Sequence, residues 1–349
     1  MSNANILIMF PRELQHYILS FLSVKDWLRL SETCHGLKDL VRHPALWKKL
    51  VFSYVEIKNN TKACRDHVAR CSSLKDLCIK EEHGEMDRIR CDKIMSVVLK
   101  AKSTLTTLSI DYLALSNGSF KKISQMTQLS KLEVRWSKIK SDGIASLANL
   151  SELKSLTLNA VHRGGDITSK DLVDFFSRIK KLEEVEIRFH NLNDEVIESI
   201  VVNNPNLRHL VINCNFMTNL TFTGRSLGII ADNCPQLDHI DIGYSNIQND
   251  DIMQLVSGCS KLNYANFECT RIEDSALARL ARDCPDLETL KLSGCSEITG
   301  QGIEAFLDKV AEGKLKHLDN RDCDFHLNVK NLKIPERLKE EHPNIEIIC

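Results

Sequence analysis

Cys64, His67 and Cys71 are the residues of this sequence whose types and spacing come nearest to a metal site. A helix would place all three on one face, and thiolate and imidazole groups are ligands that suit zinc. Zinc needs a fourth ligand, however, and the buried face of an amphipathic helix requires the same spacing. We therefore interpret these residues as packing residues, and we predict no metal site and no cofactor.

Other sequence signatures of chemistry are missing. The sequence contains no Gly-rich phosphate loop, no nucleophile elbow, no H-E-x-x-H motif and no paired C-x-x-C motif. Basic pairs such as Lys121 with Lys122 are too short for a nucleic-acid-binding stripe, and the formal net charge is only -1. The sequence predicts a non-catalytic protein that binds neither nucleic acid nor a membrane surface.

The cysteines indicate a reducing environment. There are 13 of them, an odd number, and they are scattered rather than grouped as in a secreted disulfide framework. The sequence shows neither a signal-peptide pattern nor an apolar run of about 18 residues. We expect the protein to be cytoplasmic, nuclear or both, and we expect no membrane-spanning segment.

An internal repeat organises most of the chain. One segment type, with apolar residues at its first, fourth and sixth positions, returns at spacings typical of leucine-rich repeats. Its ten copies begin at Leu74, Leu105, Leu129, Leu153, Leu182, Leu207, Leu237, Leu262, Leu287 and Leu315. The alternation predicts a strand with one buried face, and the stretch after each copy has helical spacing.

The repeat that begins at Cys284 has the clearest pattern. Its predicted buried residues are Leu287, Leu290, Leu292, Cys295, Ile298, Ile303, Phe306 and Leu307. Polar residues at the predicted helix starts are suitable for capping the exposed backbone amides there. These residues are Asp142, Asp194, Asp250, Asp274 and Thr299. One repeat cannot bury its own apolar face, so the copies must stack into a solenoid.

This repeat resembles the cysteine-containing leucine-rich repeat. The resemblance is nearly complete around Cys284, and Cys234 with Pro235 repeats the opening of the pattern, whereas Ser245 and Thr270 replace its turn cysteine. It implies an α/β fold, a leucine-rich-repeat solenoid shaped as a curved horseshoe with its strands on the concave side. We predict this solenoid over residues 74–349, with a degenerate capping repeat at 51–73.

A helical block precedes the repeats at residues 10–50, after a short tail at residues 1–9. Leu14, Ile18 and Leu22 are four residues apart, and Leu28, Leu30 and Cys34 follow in a second helix. About forty residues cannot enclose so many apolar side chains. Part of this surface must therefore face the solenoid or a partner, which favours a docking module.

The block resembles the F-box, a small all-α module. The residues that match its pattern are Pro11, Glu13, Ile18, Leu19, Leu22, Asp26, Leu28, Cys34, Leu46 and Trp47. The sequence departs from the pattern at four positions, which are Phe10, Trp27, Thr33 and Leu37. These departures bear on the affinity for a partner rather than on the identity of the module.

The resemblance implies that the module binds the Skp adaptor, which joins F-box proteins to a cullin and a RING subunit of a ubiquitin ligase. The implied adaptor residues are Pro11, Leu14, Ile18, Leu22, Val24, Leu28, Leu30 and Trp47. Any one of them can instead be internal packing. The implied function is that of a non-catalytic substrate receptor of such a ligase. The alternative is a non-degradative scaffold or inhibitor whose F-box serves assembly only.

A substrate protein would lie on the concave strand face, where the variable strand positions point. Aromatic and arginine side chains contribute most to protein interfaces. The predicted substrate-binding residues are Glu133, Arg135, Trp136, Glu186, Arg188, Phe189 and Tyr244. A mixed ladder of charges is also typical of a solvated face, and an aromatic residue there can cover the neighbouring repeat. Both alternatives remain open.

Overall fold

A computed structural model gives the fold as two compact units, Met1–Ser137 and Lys138–Cys349. The residues described are 7, 9–22, 24–41, 43–80, 91–113, 115–137, 139–160, 167–189, 192–212, 222–300, 302–303, 306, 314–319, 321 and 346–348. Among them, a strand lies in each of the ten predicted repeat segments. This regular return of strand and helix confirms the predicted α/β repeat solenoid.

The first unit contains a helical module and the first strands. Its helices are α1 Arg12–Ser20, α2 Val24–Ser31, α3 His35–Val41, α4 Tyr54–Arg70, α5 Cys91–Val98 and α6 Asn117–Ile123, with short 3-10 helices at Pro44–Lys48 and Leu99–Ala101. Its strands are β1 Lys49–Ser53, β2 Asp76–Lys80, β3 Thr107–Asp111 and β4 Lys131–Ser137. The first strand therefore begins two residues before the predicted capping repeat at residues 51–73.

The four strands of the first unit pair in parallel and in sequence order. The register places Leu77, Leu108 and Leu132 side by side, and all three are fully buried. Strands joined by a crossover helix must run parallel, and their inward side chains then form continuous apolar rows. The leucine periodicity of the sequence thus becomes the core of the unit.

The second unit continues the same alternation of strand and helix. Its helices are α7 Ser141–Leu147, α8 Ser169–Phe176, α9 Asp194–Asn203, α10 Gly224–Asn233, α11 Asn249–Gly258 and α12 Asp274–Asp283. Its strands are β5 Ser155–Ala160, β6 Glu184–Arg188, β7 His209–Val211, β8 His239–Asp241, β9 Tyr264–Asn266, β10 Thr289–Lys291, β11 His317–Asp319 and β12 Glu346–Ile348. Consecutive strands from β5 to β12 pair in parallel.

The predicted core of the repeat at Cys284 is confirmed. Each predicted residue that the structure describes is at most 4% exposed, namely Leu287, Leu290, Leu292, Cys295, Ile298, Ile303 and Phe306. Leu307 lies outside the described residues. The Cys295 thiol donates a hydrogen bond to the carbonyl of Phe267 at 3.1 Å, so the turn cysteine joins one repeat to the preceding one.

The prediction that aspartates cap their own helices is wrong by one or two positions. Asp142 and Asp250 are the second residues of α7 and α11. Asp194 and Asp274 are the first residues of α9 and α12, and the residues before them are the N-caps. Their carboxylates instead accept hydrogen bonds from the next repeat. Asp194 accepts from the backbone N–H of Thr223 at 2.7 Å, and Asp274 accepts from that of Thr299 at 2.8 Å. These aspartates therefore stabilise the stacking of neighbouring repeats.

A second set of inter-repeat contacts follows the C-terminal ends of the helices. Asn204, Cys234, Cys259 and Cys284 are the C-cap residues of α9 to α12. The thiols of Cys259 and Cys284 donate to the carbonyl of the preceding member, at 3.6 and 3.7 Å. Burial raises the pKa of Cys234 and of Cys259 to about 12, so both remain protonated donors.

Candidate functional site

The helices α1 to α3 enclose a small core that contains two tryptophans. The Nε1–H of Trp27 donates to the carbonyl of Leu19 at 2.6 Å, and that of Trp47 donates to the carbonyl of Val41 at 2.6 Å. The two indole rings meet edge to face, with centroids 4.8 Å apart. A buried indole must satisfy its N–H, and here each does so on the backbone of a neighbouring segment.

Trp47 also joins this module to the first repeat. Its ring contacts the imidazole of His67 in α4, with centroids 4.3 Å apart. The side chain is only 6% exposed, so the structure argues against a direct adaptor contact at Trp47. The alternative of internal packing, which the sequence left open, fits this residue.

The remaining predicted adaptor residues differ in their exposure. Pro11, Leu14, Ile18 and Leu22 are exposed, and Leu30 is half-buried. Val24 and Leu28 lie in α2, but their side chains are outside the described part of the structure. The structure therefore brings the N-terminal members of the predicted set onto one surface around α1.

That surface is larger than the sequence predicted. We define the apolar α1 face as Leu14, Tyr17, Ile18, Phe21 and Leu22, whose exposures are 48, 63, 39, 72 and 37%. Tyr17 and Phe21 were missed, although they follow Leu14 and Ile18 by three residues each, which was a sufficient signal. The opposite side of α1 is buried through Gln15 and Leu19.

The three residues considered as metal ligands have packing roles. The thiol of Cys71 donates to the carbonyl of His67 at 3.2 Å, and the thiol of Cys64 is 3.8 Å from the carbonyl of Glu56. Burial raises the pKa of Cys71 to about 11 and, with Arg70, lowers the pKa of His67. Within the described ranges, no group of three or more His, Cys, Asp or Glu residues is placed to hold a metal ion.

In the first unit, the predicted substrate residues Glu133 and Arg135 form an ion pair. The Arg135 guanidinium lies 3.1 Å from the Glu133 carboxylate and 3.7 Å from that of Asp111 on β3. Glu133 also accepts from Ser109 at 2.6 Å. These charges are therefore largely engaged within the strand face. Trp136 lies in β4, but its side chain is outside the described part of the structure.

The two carboxylates around Arg135 have opposite pKa shifts. Burial alone would raise the pKa of Glu133, but hydrogen bonds from Ser109, Lys131 and Arg135 lower it to about 2. The pKa of Asp111 is raised, because burial outweighs the attraction of Arg135. Glu133 therefore carries a negative charge throughout the neutral pH range.

In the second unit, Glu186 and Arg188 are brought together on β6, with 3.3 Å between Arg188 Nη2 and Glu186 Oε1. Phe189 follows the strand and is only 6% exposed. Its ring belongs to the packed interior, so the structure argues against Phe189 as a substrate contact. Glu186 and Arg188 therefore remain the predicted substrate contacts of β6.

Tyr244 occupies a backbone position that recurs after the strands. Its φ angle is 61°, and its N–H donates to the carbonyl of Glu268 at 2.6 Å. Tyr112, Cys269 and Gly294 have φ angles of 62, 53 and 72° at the equivalent position. The positive φ angle turns the side chain out of the regular alternation of the strand. The Tyr244 ring is therefore half-buried at the edge of the strand face.

A stack of three rings on the strand face was not predicted. We define the imidazole–tyrosine stack as His209, His239 and Tyr264, which lie side by side in register on β7, β8 and β9. The ring centroids are 3.8 Å apart between the two histidines and 3.9 Å apart between His239 and Tyr264. Sequence reasoning considered each strand alone, whereas the stack depends on lateral register.

The module and the repeats can now be compared with known proteins. Residues 10–53 match the F-box-like family. The chain is also 27% identical over 240 residues to the Arabidopsis thaliana F-box/LRR-repeat protein 21. This match covers 66% of this chain and 71% of that protein. The chain thus contains an F-box-like domain and is similar over two thirds of its length to an F-box/leucine-rich-repeat protein.

Other relatives cover smaller parts of the sequence. The chain is 27% identical over 152 residues to the Arabidopsis F-box/LRR-repeat protein 22, and this match covers 43% of this chain and 48% of that protein. It is 28% identical over 157 residues to the Arabidopsis F-box/LRR-repeat protein 23, where the match covers 42% of this chain and 32% of that protein. These two matches thus span less than half of either relative.

Among solved structures, one chain of the yeast Rad7 and Elc1 complex has a similar fold. The TM-score is 0.57 at 18% sequence identity, and the superposition covers 100% of this chain and 92% of that chain. At this identity the likeness concerns the fold alone. Within the residues that the structure describes, no helix combines the length and the apolar character needed to cross a membrane.

Proposed function

We propose that this protein is the substrate-recognition subunit of a Skp–cullin–F-box ubiquitin ligase. The observation that carries the proposal is the apolar α1 face, which lies inside the F-box-like domain and is not used by that domain's core. Leu19, Trp27 and Trp47 fill the core, and all three are buried. The exposed residues of α1 therefore have no structural reason to be apolar.

An apolar face of this kind favours docking of a helical or grooved partner. Soluble proteins seldom expose several large apolar side chains side by side unless a partner covers them. Burying one leucine- or phenylalanine-sized side chain contributes about 1.5–3 kcal/mol. A micromolar complex needs about 8 kcal/mol, so several residues of the apolar α1 face must contribute together. The Skp adaptor is the partner that the F-box-like domain supports.

The adaptor interaction can be tested with charged substitutions on the apolar α1 face. We expect Leu14→Asp and Ile18→Asp to weaken binding of the purified Skp adaptor by about 10- to 100-fold each, because each loses one buried contact and places a charge at the interface. Asp39→Ala is the control, since Asp39 is an exposed residue of α3. Circular dichroism must show unchanged folding. Equal affinity of Leu14→Asp and wild type would contradict the proposal.

The protein itself needs no catalytic group in this function. A substrate held on the strand face would gain a high effective concentration near the ubiquitin-charged enzyme that the cullin and the RING subunit position. We propose that the two predicted charged pairs, Glu133 with Arg135 and Glu186 with Arg188, orient that substrate. Double charge removal at each pair, with circular dichroism as the check on folding, tests whether substrate capture depends on it.

Ubiquitin transfer separates the proposed receptor from the scaffold alternative. A reconstituted reaction with adaptor, cullin, RING subunit and a captured partner should modify that partner in the presence of wild type and not of Leu14→Asp. Binding of both adaptor and partner without transfer would instead identify a scaffold or inhibitor. We also propose a cytoplasmic or nuclear location, because no disulfide joins the nine cysteines whose side chains the structure describes, as expected in a reducing compartment.

A further inference from the structure

The imidazole–tyrosine stack lies within a distinctive charge environment. Glu184 on β6 is in register with His209, so its carboxylate lies beside one end of the stack. Asp241 follows His239 by two positions on β8, and Glu268 lies beyond the end of β9. Glu184 is exposed, Glu268 is half-buried and Asp241 is buried.

Glu184 and Glu268 accept their side-chain hydrogen bonds from neutral groups. Glu184 accepts from the hydroxyl of Ser155 at 2.6 Å. Asp241 accepts from the N–H of Gly243 at 3.2 Å, and Glu268 accepts from the amide of Asn266 at 3.0 Å. A hydrogen bond from a neutral donor orients a carboxylate without cancelling its charge, and each oxygen keeps a further lone pair. The surface around the stack therefore carries negative charge.

The rings themselves add no positive charge at neutral pH. Burial lowers the pKa of His209, although Glu184 and Glu186 oppose that shift, and burial together with His209 and Lys291 lowers the pKa of His239. The cations of this surface lie at its two sides. Arg188 is paired with Glu186 on β6, and Lys291 lies on β10.

Because the proposed function makes the strand face a substrate surface, we propose that this face of the second unit binds an extended, arginine-bearing segment of the substrate protein. The guanidinium group suits the site better than an ammonium group for two reasons. It is planar, so it can stack on an aromatic ring, and it donates two parallel hydrogen bonds to one carboxylate. His209 and Glu184 supply both features at one end of the stack.

The dimensions agree with a short segment. Three strand spacings separate β6 from β9, which is about 14 Å at the usual spacing of parallel strands. An extended chain covers that distance in about four or five residues. One arginine at Glu184 and His209 and a second near Glu268 would therefore engage the whole stack from a single peptide.

Peptide binding to the intact protein tests this inference. The probes are fluorescein-labelled peptides of about ten residues, made of glycine and serine with two arginines four residues apart, and matched peptides with lysine or glutamate in their place. Fluorescence anisotropy should show the arginine peptide binding about 5-fold more tightly than the lysine peptide and more than 10-fold more tightly than the glutamate peptide. Equal binding of the arginine and glutamate peptides would overturn the inference.

Substitutions locate the binding on the stack. Glu184→Gln is expected to weaken the arginine peptide about 5- to 10-fold, and Lys291→Gln is expected to strengthen it by about 2- to 3-fold, because the first removes an attractive charge and the second a repulsive one. Unchanged affinity of Glu184→Gln would place the peptide elsewhere and refute the site. Adaptor binding measured on the same samples is independent of these changes. Failure of the wild-type protein to bind the adaptor would count against the proposed function, whereas absence of arginine selectivity in a wild-type protein that binds the adaptor would count against this inference alone.

Discussion

Replacement of Asn204 by alanine would remove two hydrogen bonds in the interior of the second unit. The Asn204 side chain is 1% exposed at the end of α9. Its Nδ2 donates to the carbonyl of Ile200 at 2.8 Å, and its Oδ1 accepts from the N–H of Leu182 at 2.8 Å. Leu182 belongs to the preceding repeat, so this one amide both closes a helix and joins two repeats.

The expected cost follows from the two backbone groups that would lose their partner. A buried polar group without a hydrogen bond costs about 1–3 kcal/mol. Water can reach part of a helix end, so the lower half of that range applies to each group. We therefore expect Asn204→Ala to lower the free energy of unfolding by about 2–4 kcal/mol.

Asn233→Ala is the matched control for this experiment. Asn233 also donates from its Nδ2 to the carbonyl four residues earlier, Ile229 at 2.8 Å, but its side chain is only partly buried. Its removal should cost about 1 kcal/mol, because water replaces the lost donor. The comparison separates a generic helix-end hydrogen bond from the inter-repeat one.

Urea unfolding and hydrogen exchange together provide the assay. The unfolding midpoint should fall clearly more for Asn204→Ala than for Asn233→Ala. The amide of Leu182 should exchange faster in Asn204→Ala only, since its acceptor is the Asn204 side chain. Equal midpoints for the two variants, with the Leu182 amide protected in both, would refute the reasoning.

Three further predictions concern single sites. Burial, His209 and Lys291 lower the pKa of His239 to about 3 in the folded protein. In the unfolded chain the same imidazole takes up a proton near pH 6.5. Stability should therefore fall as the pH falls below 6.5, by about 1 kcal/mol between pH 7 and 5 after allowance for solvent screening, and thermal midpoints of His239→Gln should show a weaker pH dependence. Cys269→Gly should raise the thermal midpoint through about 1 kcal/mol of relieved strain, since its φ is 53°; a lower midpoint would contradict this. Trp47→Phe should cost about 2 kcal/mol in urea unfolding because the Val41 carbonyl loses its donor, and a change below about 0.5 kcal/mol would argue against that hydrogen bond.

The strand positions could be predicted from the sequence because each repeat presents the same apolar spacing. Leu77, Leu108 and Leu132 stack in register, as a strand with one buried face requires. The helix starts were less predictable, since Asp194 and Asn193 are both suitable caps. Only the backbone geometry assigns the cap to Asn193 and the inter-repeat contact to Asp194.

The candidate surfaces were predicted in part. Leu14 and Ile18 followed from helical spacing, but the sequence did not reveal that Trp47 turns inward onto His67. Phe189 and Tyr244 occupy the same position in the repeat, and only one of them is deeply buried. The direction of a side chain at a strand end depends on the local φ angle, which the repeat pattern does not specify.

The buried cysteines at the helix ends offer a way to observe the opening of individual repeats. Alkylating reagents react with thiolates, and the high pKa and burial of Cys234 and Cys259 suppress that reaction in the closed protein. Each thiol should therefore become labelled only when its own repeat transiently separates from its neighbour. Mass spectrometry of a labelling time course would then rank the repeats by how often each one opens.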